Sequence, residues 1–332
     1  MARRVRVAVL YGGCNEEHDI SRASAAAVLE HLDRDRFDAV GIYVTKAGHW
    51  VADDQPLDGA GDGALSGLAY AQNVLRSCDI AFPVMHGRNG QDGIVQAMLE
   101  LIGVPYVGSG VLAGAAAMDK DVTRRLLASA GLAVTDTTVL TGDATVSTAD
   151  RDRLGLPVFV KPARCGSSIG VSRVTEWDQL PDAIAAARGH DVKVLVEPEA
   201  AGREIAVAVL EYPDGRLVTG PALEITVSAR RPFFDYLAKY ADRDTTLQVP
   251  ATLDPAVEAL LHEQALLAYR VLDCRGHARI DFFVDENGRP VLNGVNTAPG
   301  LTAASQVPRI WAAEGLAFPD LLSVLVQTAL RR

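Results

Sequence analysis

The chain opens with short apolar runs that each stop at a polar, glycine-bearing loop, and this recurrence restricts the fold more than any other feature. Arg6 to Leu10 runs into "YGGCNEEHDIS", and "CDIAFPVM" runs into "HGRNGQDG". "FDAVGIYVT" is another strand-like run and "VPYVG" reads as a fourth. Between them lie stretches of helical spacing, from about Ser21 to Leu32 and over "DGIVQAMLELIG". Strands alternating with helices predict an α/β fold with a parallel, doubly wound sheet. Such sheets take ligands at the carboxyl ends of their strands, where both glycine loops fall. The Gly- and Asp-rich stretch 53–67 reads as a surface excursion.

Two further units follow. A helix over Asp119 to Ala130 leads into "LPVFVKPA", the loop "RCGSSIGVSRV", a helix near Trp177 to Ala187 and the strand "VKVLVEPEA". The last unit holds "REIAVAVLEY", a turn at Pro213-Asp214-Gly215, a loop that includes "FFDYLAKY" and a long helix near Pro255 to Leu272. A chain of 332 residues has room for two or three such units with real cores. Divisions are expected near Gly108 and Gly202, giving units 1–108, 109–202 and 203–332.

The segment "HARIDFFVDENGRPVLNGVN", His277 to Asn296, is read as a hairpin, because Asn287-Gly288 is a strong two-residue turn signal. Counting back from that turn sets Val284 opposite Val291, Asp281 opposite Gly294 and Arg279 opposite Asn296. Alternation then puts Arg279, Asp281 and Asn296 on one face, with Asn293 turned to the other. A carboxylate, an amide oxygen and a guanidinium on one sheet face suit a metal–phosphate centre. Its middle position, Gly294, carries no side chain.

The formal charge of -10 gives no basic footprint for nucleic acid or anionic lipid, so neither is expected as a partner. No apolar run is long enough to span a bilayer, and the start of the chain lacks the long apolar region of a signal peptide. Cys14, Cys78, Cys165 and Cys274 lie far apart with no CxxC pair, which fits free thiols in a reducing cytoplasm. Lys161 precedes a Gly/Ser loop able to wrap phosphate oxygens, although the pattern is not a P-loop and an ordinary turn would look similar. Lys120, Glu197 and Glu204 taken singly read as surface charges. His18 and His86, in the glycine loops, favour a ligand role over a core one.

The order of these segments resembles the D-alanine–D-alanine ligases of the ATP-grasp superfamily over nearly the full length. The matching segments include "VLYGGCNEEHDIS", "FPVMHGRNGQDG", "GVPYVGSGVLAGAAAMDK", "LPVFVKPARCGSSIGVSRV", "VLVEPEAAGREIAVAVL", "GHARIDFFVDENGRP" and "NTAPGLTAASQVPRI". The resemblance implies an ATP-grasp architecture: a Rossmann-like first domain and two α+β domains that enclose ATP. It implies that Lys120 and Lys161 hold phosphates, joined by Ser168 and Lys239. Glu197, Pro198 and Ala200 match the adenine-edge segment, Glu204 the ribose ligand and Phe283 an adenine-packing position. Glu17 matches the acid that grips the first D-alanine's ammonium, with Ser167 and Tyr240 as its partners. Arg279 and the amide of Gly300 match the oxyanion-holding groups, and His86 and Ser305 match substrate binders.

Asp281 and Asn296 match ligands of Mg2+ or Mn2+, but "NGVN" stands where "NEVN" is expected. A second departure is Gln91, where a glutamate is usual. The implied reaction passes through an acylphosphate, made from ATP and one D-alanine and attacked by the amine of a second. A cytoplasmic homodimer is also implied. Other second substrates, D-serine among them, and a weakly catalytic ATP-binding homologue are the competing readings. Lys239-Tyr240 favours D-alanine over D-lactate, and "FFDYLAKY" is expected to close over the site.

Overall fold

The computed structural model describes residues 3–52, 55–56, 64–227 and 245–331. "FFDYLAKY", with Lys239 and Tyr240, lies outside the described residues. The chain begins with β1 (Val5–Gly12), α1 (His18–His31), β2 (Phe37–Val44), β3 (Trp50–Ala52), β4 (Gln55–Pro56), α2 (Ala64–Arg76), β5 (Ile80–Pro83) and α3 (Ile94–Ile102). Their sheet is ordered β4-β3-β2-β1-β5. β1 runs parallel to β2 and β5, whereas β3 and β4 add an antiparallel edge that the expected parallel sheet lacked.

Two further expectations are corrected here. α2 starts inside the stretch read as a surface excursion. "VPYVG" contributes only a single bridge, Tyr106 to Ala81, in place of a strand. Pro105 has no N–H to give a ladder, and Gly103 and Gly108 turn the chain away at φ 70° and 99°.

The second unit comprises α4 (Val111–Met118), α5 (Lys120–Ser129), β6 (Thr138–Thr141), α6 (Thr148–Leu154), β7 (Val158–Pro162), β8 (Ser172–Val174), α7 (Leu180–Arg188) and β9 (Lys193–Pro198). Its sheet is ordered β6-β9-β7-β8 and is antiparallel throughout. α5 starts where it does because Asp119 caps it, its carboxylate accepting from the N–H groups of Asp121 and Val122.

The last unit contains β10 (Arg203–Glu211), β11 (Leu217–Thr219), β12 (Leu223–Val227), β13 (Thr245–Gln248), α8 (Pro255–Val271), β14 (His277–Val284), β15 (Pro290–Asn296), α9 (Gln306–Ala313) and α10 (Phe318–Ala329). The described strands form a sheet ordered β13-β12-β10-β14-β15, with β11 pairing β10. Alternation divides its faces. Ile205, Val207, Val209, Ile280, Phe282, Leu292 and Val295 are buried in one core together with Leu261, Ala265 and Ala268 of α8. Ala206, Ala208 and Leu210 turn the other way, into a core shared with Val7, Val9 and Phe82 of the first sheet. That second core ties the last unit to the first.

The hairpin β14–β15 pairs Asp281 with Gly294 and Arg279 with Asn296, as counted from the sequence, but by a different route. Near the turn Val284 faces Pro290 instead of Val291. Asp285 closes a longer loop, its carboxylate accepting from the N–H groups of Asn287 and Arg289 at 2.9 and 2.8 Å. This aspartate-bonded turn displaces the two-residue Asn-Gly turn. A register shift between Asp281 and Phe282 then restores the expected pairing and leaves Asn293 as the extra residue of a bulge. Leu292 is meanwhile drawn into a bridge with Val134, its N–H donating to the Ala133 carbonyl at 2.8 Å.

Candidate active site

A cleft of about 570 Å³ separates the four-stranded sheet from the last unit's sheet. Its walls carry Lys120, Lys161, Ser167, Ser168, Glu197, Pro198, Ala200, Glu204, Phe283, Arg279, Asp281 and Asn296. Twelve positions picked from the sequence thus converge on one cavity, although they span 177 residues of chain from Lys120 to Asn296.

Two cations stand on the same wall. Lys161 lies on β7 and reaches Glu197 Oε2 on β9 at 2.7 Å. Lys120 opens α5 and donates to the carbonyl of Cys165 at 2.5 Å. Burial and the neighbouring Lys161 lower the Lys120 ammonium to about 8. Glu197 does not offer its carboxylate to the cavity. Arg124 and Lys161 grip it from both sides, and they outweigh the burial that opposes its charge, holding it below the usual carboxylate range. Arg124 also donates to Thr137 Oγ1 at 2.7 Å. It was not singled out from the sequence, which gave only a helix over this stretch. The available signal was its place three residues before Leu127, on the buried side.

The loop after β7 bends sharply over the cleft. Ser167 and Ser168 hold φ at 51° and 58°, the left-handed region that side chains avoid. Ser167 donates to Glu17 Oε1 at 2.5 Å. The Glu17 carboxylate is buried between two glycines: a Cβ on Gly87 would lie 2.6 Å, and one on Gly166 2.8 Å, from its Oε2. Both positions need glycine for the carboxylate to sit there.

At the floor, Arg279 donates to both oxygens of Asp281, at 2.7 and 2.8 Å. Asn296 Oδ1 accepts from the Ala298 N–H at 3.0 Å. A Cβ on Gly294 would meet nothing within 4 Å. Among the described residues no three His, Cys, Asp or Glu side chains cluster as a metal site. The donors at this floor are the Asp281 carboxylate and the Asn296 amide oxygen, both hard ligands that suit magnesium or manganese completed by phosphates and water.

Gly300 and Ser305 lie together, with Ser305 Oγ bonded to Thr302, and neither lines the cleft. The two histidines read as ligands are placed differently. His18 is core, its ring nitrogens at 2.7 Å from the Gly13 carbonyl and 2.9 Å from the Tyr43 hydroxyl. His86 is buried behind the cleft, each ring nitrogen 3.0 Å from a partner, Ser24 Oγ and the Ala298 carbonyl. It braces the chain next to Asn296, and its ring does not line the cleft.

This geometry coincides with a matching sequence profile. The D-ala D-ala ligase N-terminus model matches residues 6–109, and the D-ala D-ala ligase C-terminus model matches residues 126–327. The chain belongs to the D-alanine–D-alanine ligase family. It is 48% identical to a D-alanine–D-alanine ligase of Mycolicibacterium gilvum, over 100% of this chain and 99% of that one. Against the D-alanine–D-alanine ligase of Mycobacterium bovis the identity is 46%, over 99% and 96%. Among solved structures, the VanG D-Ala:D-Ser ligase from Enterococcus faecalis superposes with a TM-score of 0.82 at 32% identity, covering 98% of this chain and all of that one. The D-alanine–D-alanine ligase from Bacillus anthracis complexed with ATP gives 0.79 at 26%, covering 98% of each. The fold is therefore ATP-grasp. Among the described residues no single helix is long and apolar enough to cross a membrane.

Proposed function

We propose that this chain joins two D-alanines in an ATP-dependent reaction that serves peptidoglycan synthesis. The observation that carries the reading is the convergence of Lys120, Lys161 and the Arg279–Asp281–Asn296 floor on one cleft, whose Ser167 is bonded to the caged Glu17. The units divide at 108 and 202. ATP lies between the second and third, its adenine against Phe283 and the segment Glu197 to Ala200, its ribose on Glu204. Lys120, Lys161, Ser168 and Lys239 hold the phosphates.

Glu17, steadied by Ser167 and Tyr240, takes the ammonium of the first D-alanine and so aims its carboxylate at the γ-phosphate. That carboxylate oxygen bonds to phosphorus as ADP leaves. The amine of the second D-alanine, held by Ser305, then attacks the acyl carbon. The tetrahedral oxygen is stabilised by Arg279 and the Gly300 amide, and phosphate departs with the oxygen that came from the carboxylate. Asp281 and Asn296 would hold magnesium or manganese, which supplies neutralisation of phosphate charge when bound. A second copy of the chain and a cytoplasmic setting complete the reading.

The similarity to a D-Ala:D-Ser ligase makes D-serine the alternative second substrate. The test of mechanism uses D-alanine labelled with 18O in its carboxylate. One label should appear in the released phosphate. Unlabelled phosphate would refute the acylphosphate route.

A further inference from the structure

We propose that Asn293 supplies the side-chain oxygen that Gly294 lacks, so that the cation centre of this chain is built from Asp281, Asn293 and Asn296. The proposal rests on the nucleotide–cation reading of the cleft given above. Strict alternation would point Asn293 away from the site, and a strand without an irregularity would leave position 294 vacant of any ligand.

The bulge changes that. Leu292 and Val295 both pack into the core under α8, at 0% and 8% exposure, although Val295 also borders the cavity. Two residues, Asn293 and Gly294, therefore occupy the interval between them on the cleft face, where alternation allows one. Both are half-buried, and both line the cavity. Two residues of the bulged strand thus oppose the single Asp281, as such irregularities require. The carboxylate lost at 294 leaves a space that the amide of the preceding residue borders.

An amide oxygen is a hard ligand that a divalent ion accepts, but it is neutral. The set then carries one negative charge where a carboxylate at 294 would make it two. This centre should bind the first cation with the nucleotide and discriminate strongly against a second. The guanidinium of Arg279 adds to that selectivity, since it must release Asp281 before a cation can use both carboxylate oxygens.

The test is a Mn2+ titration of the full chain with a non-hydrolysable ATP analogue, followed by the loss of the free-ion electron paramagnetic resonance signal. Nucleotide binding is measured separately. The parent should bind one Mn2+ tightly. Asn293→Ala should weaken it by roughly 10-fold or more, the scale on which disturbing a metal's surroundings lowers affinity. Asn293→Asp should tighten it, and Gly294→Glu should add a second tight ion. Asn293→Ala binding Mn2+ like the parent, while Asp281→Ala loses it, would overturn the assignment of Asn293 alone. Unchanged Mn2+ binding in Asp281→Ala would instead overturn the cation reading on which the proposal rests.

Discussion

Ser167 and Glu17 lie 150 residues apart in the chain and meet through a 2.5 Å hydrogen bond that joins the loop after β7 to the first unit. The contact is held by backbone in the left-handed region at both Ser167 and Ser168, a cost of roughly 1–2 kcal/mol each for residues with side chains. Strain kept at such a place indicates that the loop's position matters more than its local stability.

Removing the hydroxyl should therefore affect substrate more than fold. Ser167→Gly relieves the φ strain and deletes the bond to Glu17. We expect KM for D-alanine to rise roughly 10-fold, about one lost hydrogen bond to a charged group, with KM for ATP little changed. Steady-state kinetics against each substrate distinguishes this from a general loss of activity. An equal rise for both substrates would contradict the assignment.

The site was more legible than the fold that holds it. Lys120, Lys161, Arg279, Asp281 and Asn296 carry distinctive chemistry in a fixed order, and they do converge. Arg124 was hidden because burial of an arginine depends on Glu197, 73 residues away. Local reading sees only an amphipathic helix. The hairpin is the instructive case: the expected Asn-Gly turn and the expected unbroken strand were both wrong by one residue. The two errors cancelled at Asp281 and Gly294 but not at Asn293, which becomes the extra residue of the bulge. The carboxylate of Asp285 and the pull of Val134 on Leu292 made the difference, and neither is a property of hairpin propensity. Tyr240 and the expected lid lie outside the described residues.

Lys120 gives a pH signature. Its ammonium loses its proton near pH 8 in the free protein, while bound phosphates would favour the charged form. ATP affinity should be flat below about pH 8 and fall by up to about tenfold per pH unit above it, as linkage to one proton requires. Lys120→Arg keeps its charge and should flatten the profile. The same lysine should add stability only as pH rises from about 8 toward 10.5, because there the unfolded chain binds more protons. An ATP dissociation constant measured from pH 7 to 10 checks the binding part.

His277 governs the acid side. It is buried with both ring nitrogens unpartnered among the described residues, and burial, aided by His86, lowers it to about 4. Its folded pKa is below the ordinary 6.5, so the unfolded chain takes up the proton first. Stability should fall as pH drops from 6.5 to 4, by about 3 kcal/mol if the full shift is expressed. Denaturant melts of the parent and of His277→Gln at pH 7 and pH 4.5 measure this. Equal losses in both would remove His277 as the cause.

Gly294→Glu should fold at least as well as the parent. A Cβ there meets nothing within 4 Å, and glycine inside a strand costs roughly 0.5–1 kcal/mol relative to alanine. The variant should reach half-maximal rate at a lower magnesium concentration and show a higher kcat, because the added carboxylate acts on the transferring phosphoryl. Gly294→Ala should share the stability gain without the magnesium effect. Identical magnesium curves for parent and Gly294→Glu would show that the missing carboxylate is of no consequence.

Ligation of two D-alanines at the expense of ATP can be read directly from its products. The most direct measurement is mass-spectrometric quantification of D-alanyl-D-alanine against ADP, with the unaltered chain, ATP, D-alanine and magnesium raised to saturation. We expect one dipeptide per ADP, little turnover without D-alanine, and less mixed product when D-serine or D-lactate competes. Absence of dipeptide at saturating magnesium, in the parent and in Gly294→Glu alike, would contradict it.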